Sequence, residues 1–148
     1  MRVAYLRSGL WAAGAVTLLA VGTPAIAEVV VYGVELSGAS EVPPVAAAGT
    51  GMLEATYDTD SKVLTWTITY AGLTGEASAA HFHGPAGPDA NASPVIPIEG
   101  SLASPVEGMA TLTDEQAGYL ADGMLYFNIH TAQNPGGELR GQVVTTAP

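Results

Sequence analysis

Val63-Leu64-Thr65-Trp66-Thr67-Ile68-Thr69-Tyr70 is the stretch that decides the fold. Leu64, Trp66, Ile68 and Tyr70 share one parity, and Thr65, Thr67 and Thr69 share the other. A period of two in β-branched and aromatic residues describes a strand with one apolar face and one wet face. Upstream, Thr50 to Tyr57 is a second strand candidate, and the polar run Asp58-Thr59-Asp60-Ser61-Lys62 between them predicts a hairpin. Further outward, strands are predicted at Val29 to Leu36, Ala77 to His83, Val95 to Gly100, Val106 to Leu112, Met124 to Thr131 and Glu138 to Thr145, with Gly and Pro at the junctions. One helix interrupts them. Thr113-Asp114-Glu115-Gln116 is a capping box and Gly123 a stop, which predicts a helix over about 114–122 with Ala117, Leu120 and Ala121 toward the sheet. Seven to eight short strands and one short helix make an all-β domain, a β-sandwich.

The 148 residues suit one domain, and 14 Asp+Glu against 4 Lys+Arg exclude nucleic acid as a partner because phosphate binding needs a basic stripe. There is no cysteine, so disulfides, thiolate metal sites and cysteine nucleophiles are all excluded. The first 27 residues read as a secretory signal peptide. Arg2 and Arg7 form the basic end, Ser8 to Gly22 is free of charge, and Ala25-Ile26-Ala27 before Glu28 fits the cleavage rule. The uncharged run is shorter than the roughly 20 residues that span a bilayer. The expectation is a domain over 28–148 in the periplasm or outside the cell, with no membrane attachment after cleavage. Lys62 and Arg140 are then its remaining basic side chains.

The three histidines are placed informatively. Two form His81-Phe82-His83 and the third, His130, ends Met124-Leu125-Tyr126-Phe127-Asn128-Ile129-His130. Residues i and i+2 of a strand project together, about 7 Å apart at the backbone. With Phe82, Leu125, Phe127 and Ile129 marking the core, all three imidazoles lie on the opposite face, alongside Met124, Tyr126 and Asn128. Pairing of the two strands would gather His81, His83 and His130 into one metal site with an open position. A cysteine-free donor set of imidazoles, with methionines nearby, favours copper, with zinc as the alternative. Asp89 or Glu138 can add an oxygen or orient an imidazole. Tyr126, of the same parity as His130, can flank the site. Arg140 can attract an anion or pair with a carboxylate. The loop from Gly84 to Ser93 follows the histidine pair and can shield it.

Other chemistries find no motif. Ser101 and Ser104 lie outside any G-x-S-x-G, and no phosphate-cradling glycine loop runs into a lysine. The acids at 58–60 and 114–115 are explained by their turn and helix-start settings.

Three segments in order carry a family resemblance: Val34-Glu35-Leu36-Ser37-Gly38-Ala39-Ser40-Glu41-Val42-Pro43-Pro44; Ala80-His81-Phe82-His83-Gly84-Pro85-Ala86-Gly87; and Asn128-Ile129-His130-Thr131 with Asn134-Pro135-Gly136-Gly137-Glu138-Leu139-Arg140-Gly141-Gln142. They resemble the chordin-type domain, CHRD, from about Val31 to Val144. The resemblance implies an exported domain and leaves activity open, since the family is named for an extracellular antagonist and is also widespread as single bacterial domains. A weaker similarity is to copper-zinc superoxide dismutase, which implies a Greek-key sandwich in which His81, His83 and His130 occupy copper-ligand positions and Arg140 that of an arginine beside the copper. The chain lacks the bridging histidine, the zinc ligands and the disulfide of that family, so at most a single-metal site is implied. The expected function is copper handling or storage by an exported metal-binding domain. Two alternatives stand beside it: a copper oxidoreductase of dismutase type, with Arg140 as its catalytic residue, and an extracellular protein-interaction or adhesion module with a protein partner.

Overall fold

The structure is a computed structural model that describes residues 28–145; residues 1–27, expected from the sequence to be a signal peptide, lie outside the described residues. Eight strands form: β1 (Val29–Ser37), β2 (Thr50–Asp58), β3 (Val63–Ala71), β4 (Ala77–His83), β5 (Pro94–Pro97), β6 (Val106–Thr111), β7 (Tyr126–Thr131) and β8 (Leu139–Gln142). The helix α1 covers Asp114–Ala121, between β6 and β7. No helix among the described residues is long and apolar enough to cross a membrane.

All strand pairings are antiparallel and run in the order β5-β4-β7-β8-β1-β2-β3-β6. The sheet folds on itself into two four-stranded halves joined where Ser37 of β1 pairs with Arg140 of β8. The chain crosses between halves from β3 to β4, from β5 to β6, and again through α1 from β6 to β7. These are Greek-key crossings, and they bring strands distant in sequence side by side: β3 against β6 and β4 against β7. Gly141 sits at the seam because a Cβ there would stand 2.5 Å from the Glu35 carbonyl oxygen.

The inner faces follow the period of two. Tyr32, Val34 and Leu36 of β1, Leu53, Ala55 and Tyr57 of β2, and Leu64, Trp66 and Ile68 of β3 are buried, as are Ala80, Phe82, Ile96, Phe127, Ile129 and Leu139 of the opposite half. Trp66 meets Phe82 at 5.3 Å between ring centroids, and Phe82 meets Phe127 at 5.1 Å, so aromatic rings tie the two halves together.

The turn signals act as read. Asp58 Oδ1 accepts from the Asp60 and Ser61 backbone N–H groups and from the Ser61 hydroxyl, closing the β2–β3 hairpin. Thr113 Oγ1 accepts from the Gln116 N–H while Gln116 Oε1 accepts from the Thr113 N–H, completing the capping box. Leu120 is buried and Ala117 packs on the core, whereas Ala121 faces solvent. Three elements are shorter than their apolar runs suggest. β5 begins at Pro94 and has four residues, β7 begins at Tyr126, and β8 ends at Gln142. The polar face of β7 is not wet: all six of its residues are buried.

Candidate metal centre

β4 and β7 pair with His81 opposite Asn128 and His83 opposite Tyr126, while His130 pairs with Ala79. The three imidazoles therefore stand on one face, away from Phe82, Phe127 and Ile129. One ring nitrogen from each lies within 4.8 Å of the other two. His81 Nδ1 is 3.2 Å from His130 Nε2. His83 and His130 are buried and His81 is half-buried.

Backbone carbonyls assign the protons. His83 Nδ1–H donates to the Ala92 carbonyl at 2.9 Å, and His130 Nδ1–H donates to the Pro135 carbonyl at 2.9 Å. A carbonyl can only accept, so each ring carries its lone pair on Nε2. His83 Nε2 is buried and has no hydrogen-bond partner among the described residues. A buried nitrogen lone pair left without a donor is costly in a purely structural role, and it suits a metal ligand. Burial holds all three imidazoles below the ordinary histidine range, with the neighbouring His130 adding to the effect at His81. They are neutral at pH 7, the form that ligates.

The dimensions fit an ion. Metal–nitrogen bonds of about 2.0–2.1 Å place tetrahedral ligands about 3.3 Å apart and trans ligands about 4.1 Å apart. The His81–His130 separation is close to the first value, and all three nitrogens lie within 4.8 Å of one another. Among the described residues, this is the group of histidines and carboxylates close enough to hold a metal.

The residues around the imidazoles hold the site in shape. Tyr126 stacks on His83 at 4.8 Å with 9° between ring planes, and its hydroxyl donates to the Ala92 carbonyl. The Arg140 guanidinium lies 3.5 Å over the same Tyr126 ring. Because β7 runs between β4 and β8, Tyr126 stands between His83 and Arg140. Arg140 also donates to the Gly87 and Ala90 carbonyls and to Asn91 Oδ1, clamping the loop that carries Ala92. It positions His83 through that loop.

Glu138 and Asp89 lie apart from the imidazoles. The Glu138 carboxylate accepts from the Thr74 backbone and hydroxyl, from the Thr131 hydroxyl and from Asn134 Nδ2. Its burial alone would raise its pKa, but these donors outweigh that and hold the carboxyl below its ordinary value. Asp89 is exposed and lines a cavity of about 380 Å³ with Arg140, Gln142 and Glu41. Glu41, 4% exposed, has one carboxylate oxygen without a partner among the described residues, and burial pushes its pKa up to about 7 against the pull of Arg140 and Asn128. Sequence reasoning did not single out Glu41, nor the carbonyls of Ala92 and Pro135. Backbone carbonyls have no side-chain signature, and the only signal available was the position of the 84–93 loop after the histidine pair.

The family match covers residues 32–143, described as the CHRD domain. No curated protein and no solved structure gives a significant match to the chain. The chain belongs to the CHRD domain family.

Proposed function

We propose that this CHRD domain is an exported metal-binding module that holds one divalent ion on His81, His83 and His130, with copper preferred over zinc. The observation that carries the reading is His83 Nε2, buried, unprotonated and without a partner, in a ring fixed by Ala92 beside two further imidazoles. Copper is preferred because imidazole donors bind Cu²⁺ more tightly than Zn²⁺ wherever geometry permits both. The ion would supply Lewis acidity or one-electron chemistry. The protein supplies neutral donors, two of them with fixed tautomers, and the His81 ring would keep its one N–H on the nitrogen that does not face the ion.

Handling or storage fits better than turnover. Arg140, the residue a dismutase reading would use to steer an anion, spends its donors on the 84–93 loop and is separated from His83 by Tyr126.

The test is titration of the metal-free protein with Cu²⁺ and with Zn²⁺, followed by electron paramagnetic resonance of the copper form. Hyperfine coupling to three nitrogens is expected, with affinity lost in His83→Ala and His130→Ala. Undiminished binding in both variants overturns the assignment. Export is tested by sequencing the N-terminus of protein recovered outside the cytoplasm, where Glu28 is expected to be the first residue.

A further inference from the structure

The two ends of the sheet are unequal. β5 is protected as an edge because Pro94 and Pro97, two of its four residues, have no N–H to offer. β6, Val-Glu-Gly-Met-Ala-Thr, contains no proline, and among the described residues it pairs through β3 alone. Alternate N–H and C=O groups along β6 therefore point away from β3 with no strand to receive them.

Between these ends lies a cavity of about 300 Å³ lined by Trp66, Ile96, Ile98, Glu99, Glu107 and Gly108. Trp66 is 5% exposed and its Nε1–H has no acceptor among the described residues. The indole reaches this position because residue 108 is glycine: a Cβ there would stand 2.7–2.8 Å from three atoms of the indole. An unpaired strand edge, an apolar floor and a buried donor that lacks an acceptor occur together. Two exposed carboxylates, Glu99 and Glu107, border them.

We infer that the β6 edge accepts an extended, basic peptide segment of a partner protein as an additional strand. The peptide backbone pairs with Val106–Thr111, one of its carbonyls takes the Trp66 Nε1–H, apolar side chains cover Ile96 and Ile98, and a lysine or arginine lies between Glu99 and Glu107. A second copy of this chain is the poorer occupant. The chain carries a net charge of −10, and the two basic side chains among the described residues are committed, Lys62 to Asp114 and Arg140 to the 84–93 loop. This surface is independent of the histidine site.

The probe is a short synthetic peptide alternating valine and lysine, added to the full chain while backbone amide exchange is followed. At a peptide concentration of about ten times its Kd, exchange across Val106–Thr111 is expected to slow about tenfold. The Trp66 indole N–H resonance is expected to shift. A valine–glutamate peptide and an N-methylated valine–lysine peptide should give neither effect, and the double variant Glu99→Lys, Glu107→Lys should exchange the preference toward the acidic peptide. The inference fails if β6 is not protected, if the N-methylated peptide protects equally, or if protection at β6 grows with protein concentration alone, which would identify a second copy as the occupant.

Discussion

Replacing Glu41 by glutamine should make the protein more stable, and only above a definable pH. An unfolded Glu41 ionises near 4.5, whereas in the fold burial pushes the group up to about 7. Between these values the folded state keeps a proton that the unfolded state has released. Stability conferred by the neutral acid is therefore present at low pH and lost as pH rises through the window from about 4.5 to about 7. At about 1.4 kcal/mol per pH unit, the displacement costs about 3 kcal/mol once the group is ionised. Glu41→Gln keeps the shape and removes the titration. The assay is urea unfolding of both proteins, metal-free in chelator, at pH 4 and at pH 8. The difference should be near zero at pH 4 and should favour the variant by about 3 kcal/mol at pH 8. A difference independent of pH, or a variant less stable than the parent at pH 8, would show that Arg140 and Asn128 stabilise the Glu41 anion fully and would refute the reasoning.

Arg140→Lys removes a fork that reaches three acceptors, so urea unfolding should show a loss of about 2–4 kcal/mol. Because Ala92 is then less firmly held, copper affinity should fall about tenfold in a competition titration; unchanged affinity would separate Arg140 from the site. Gly108→Ala should lower stability by about 1–3 kcal/mol in thermal unfolding, since its methyl group meets the Trp66 indole, and a neutral result would mean the indole is free to move. The buried histidines act with the opposite sign to Glu41. Unfolded imidazoles take up protons near pH 6.5 while the folded ones stay neutral to lower pH, so metal-free stability should fall as pH drops below about 6.5. Each contributes a slope of up to about 1.4 kcal/mol per pH unit, and His130→Gln should flatten the decline measured by urea midpoints.

Strand identity was legible because residues such as Leu64, Trp66 and Ile68 alternate with threonines over a full strand, and that period survives burial of one face. The shared face of His81 and His83 is a local consequence of the same period. That β4 lies beside β7 is a matter of topology, set by the crossings through β5, β6 and α1, and no local pattern records it. β7 was harder still. Its polar side, read as the face opposite the core, is covered by the 84–93 and 132–138 loops, so Asn128 and His130 are buried polar groups whose partners include backbone carbonyls. The acids divided by environment. Glu138, close to the histidines in the quoted motifs, is drawn away by Thr74, a residue 64 positions distant. Glu41 lies in a segment whose glycine, alanine and proline neighbours suggest only a loop.

The pairing of β4 with β7 also makes the site a gauge of completed folding. His81 and His83 are brought together by β4 alone, but His130 joins them only after three intervening elements have been laid down and the late strand has zipped into place. An ion demanding all three imidazoles would thus discriminate against half-formed chains. Its occupancy would add to the unfolding free energy in proportion to the logarithm of free metal over Kd.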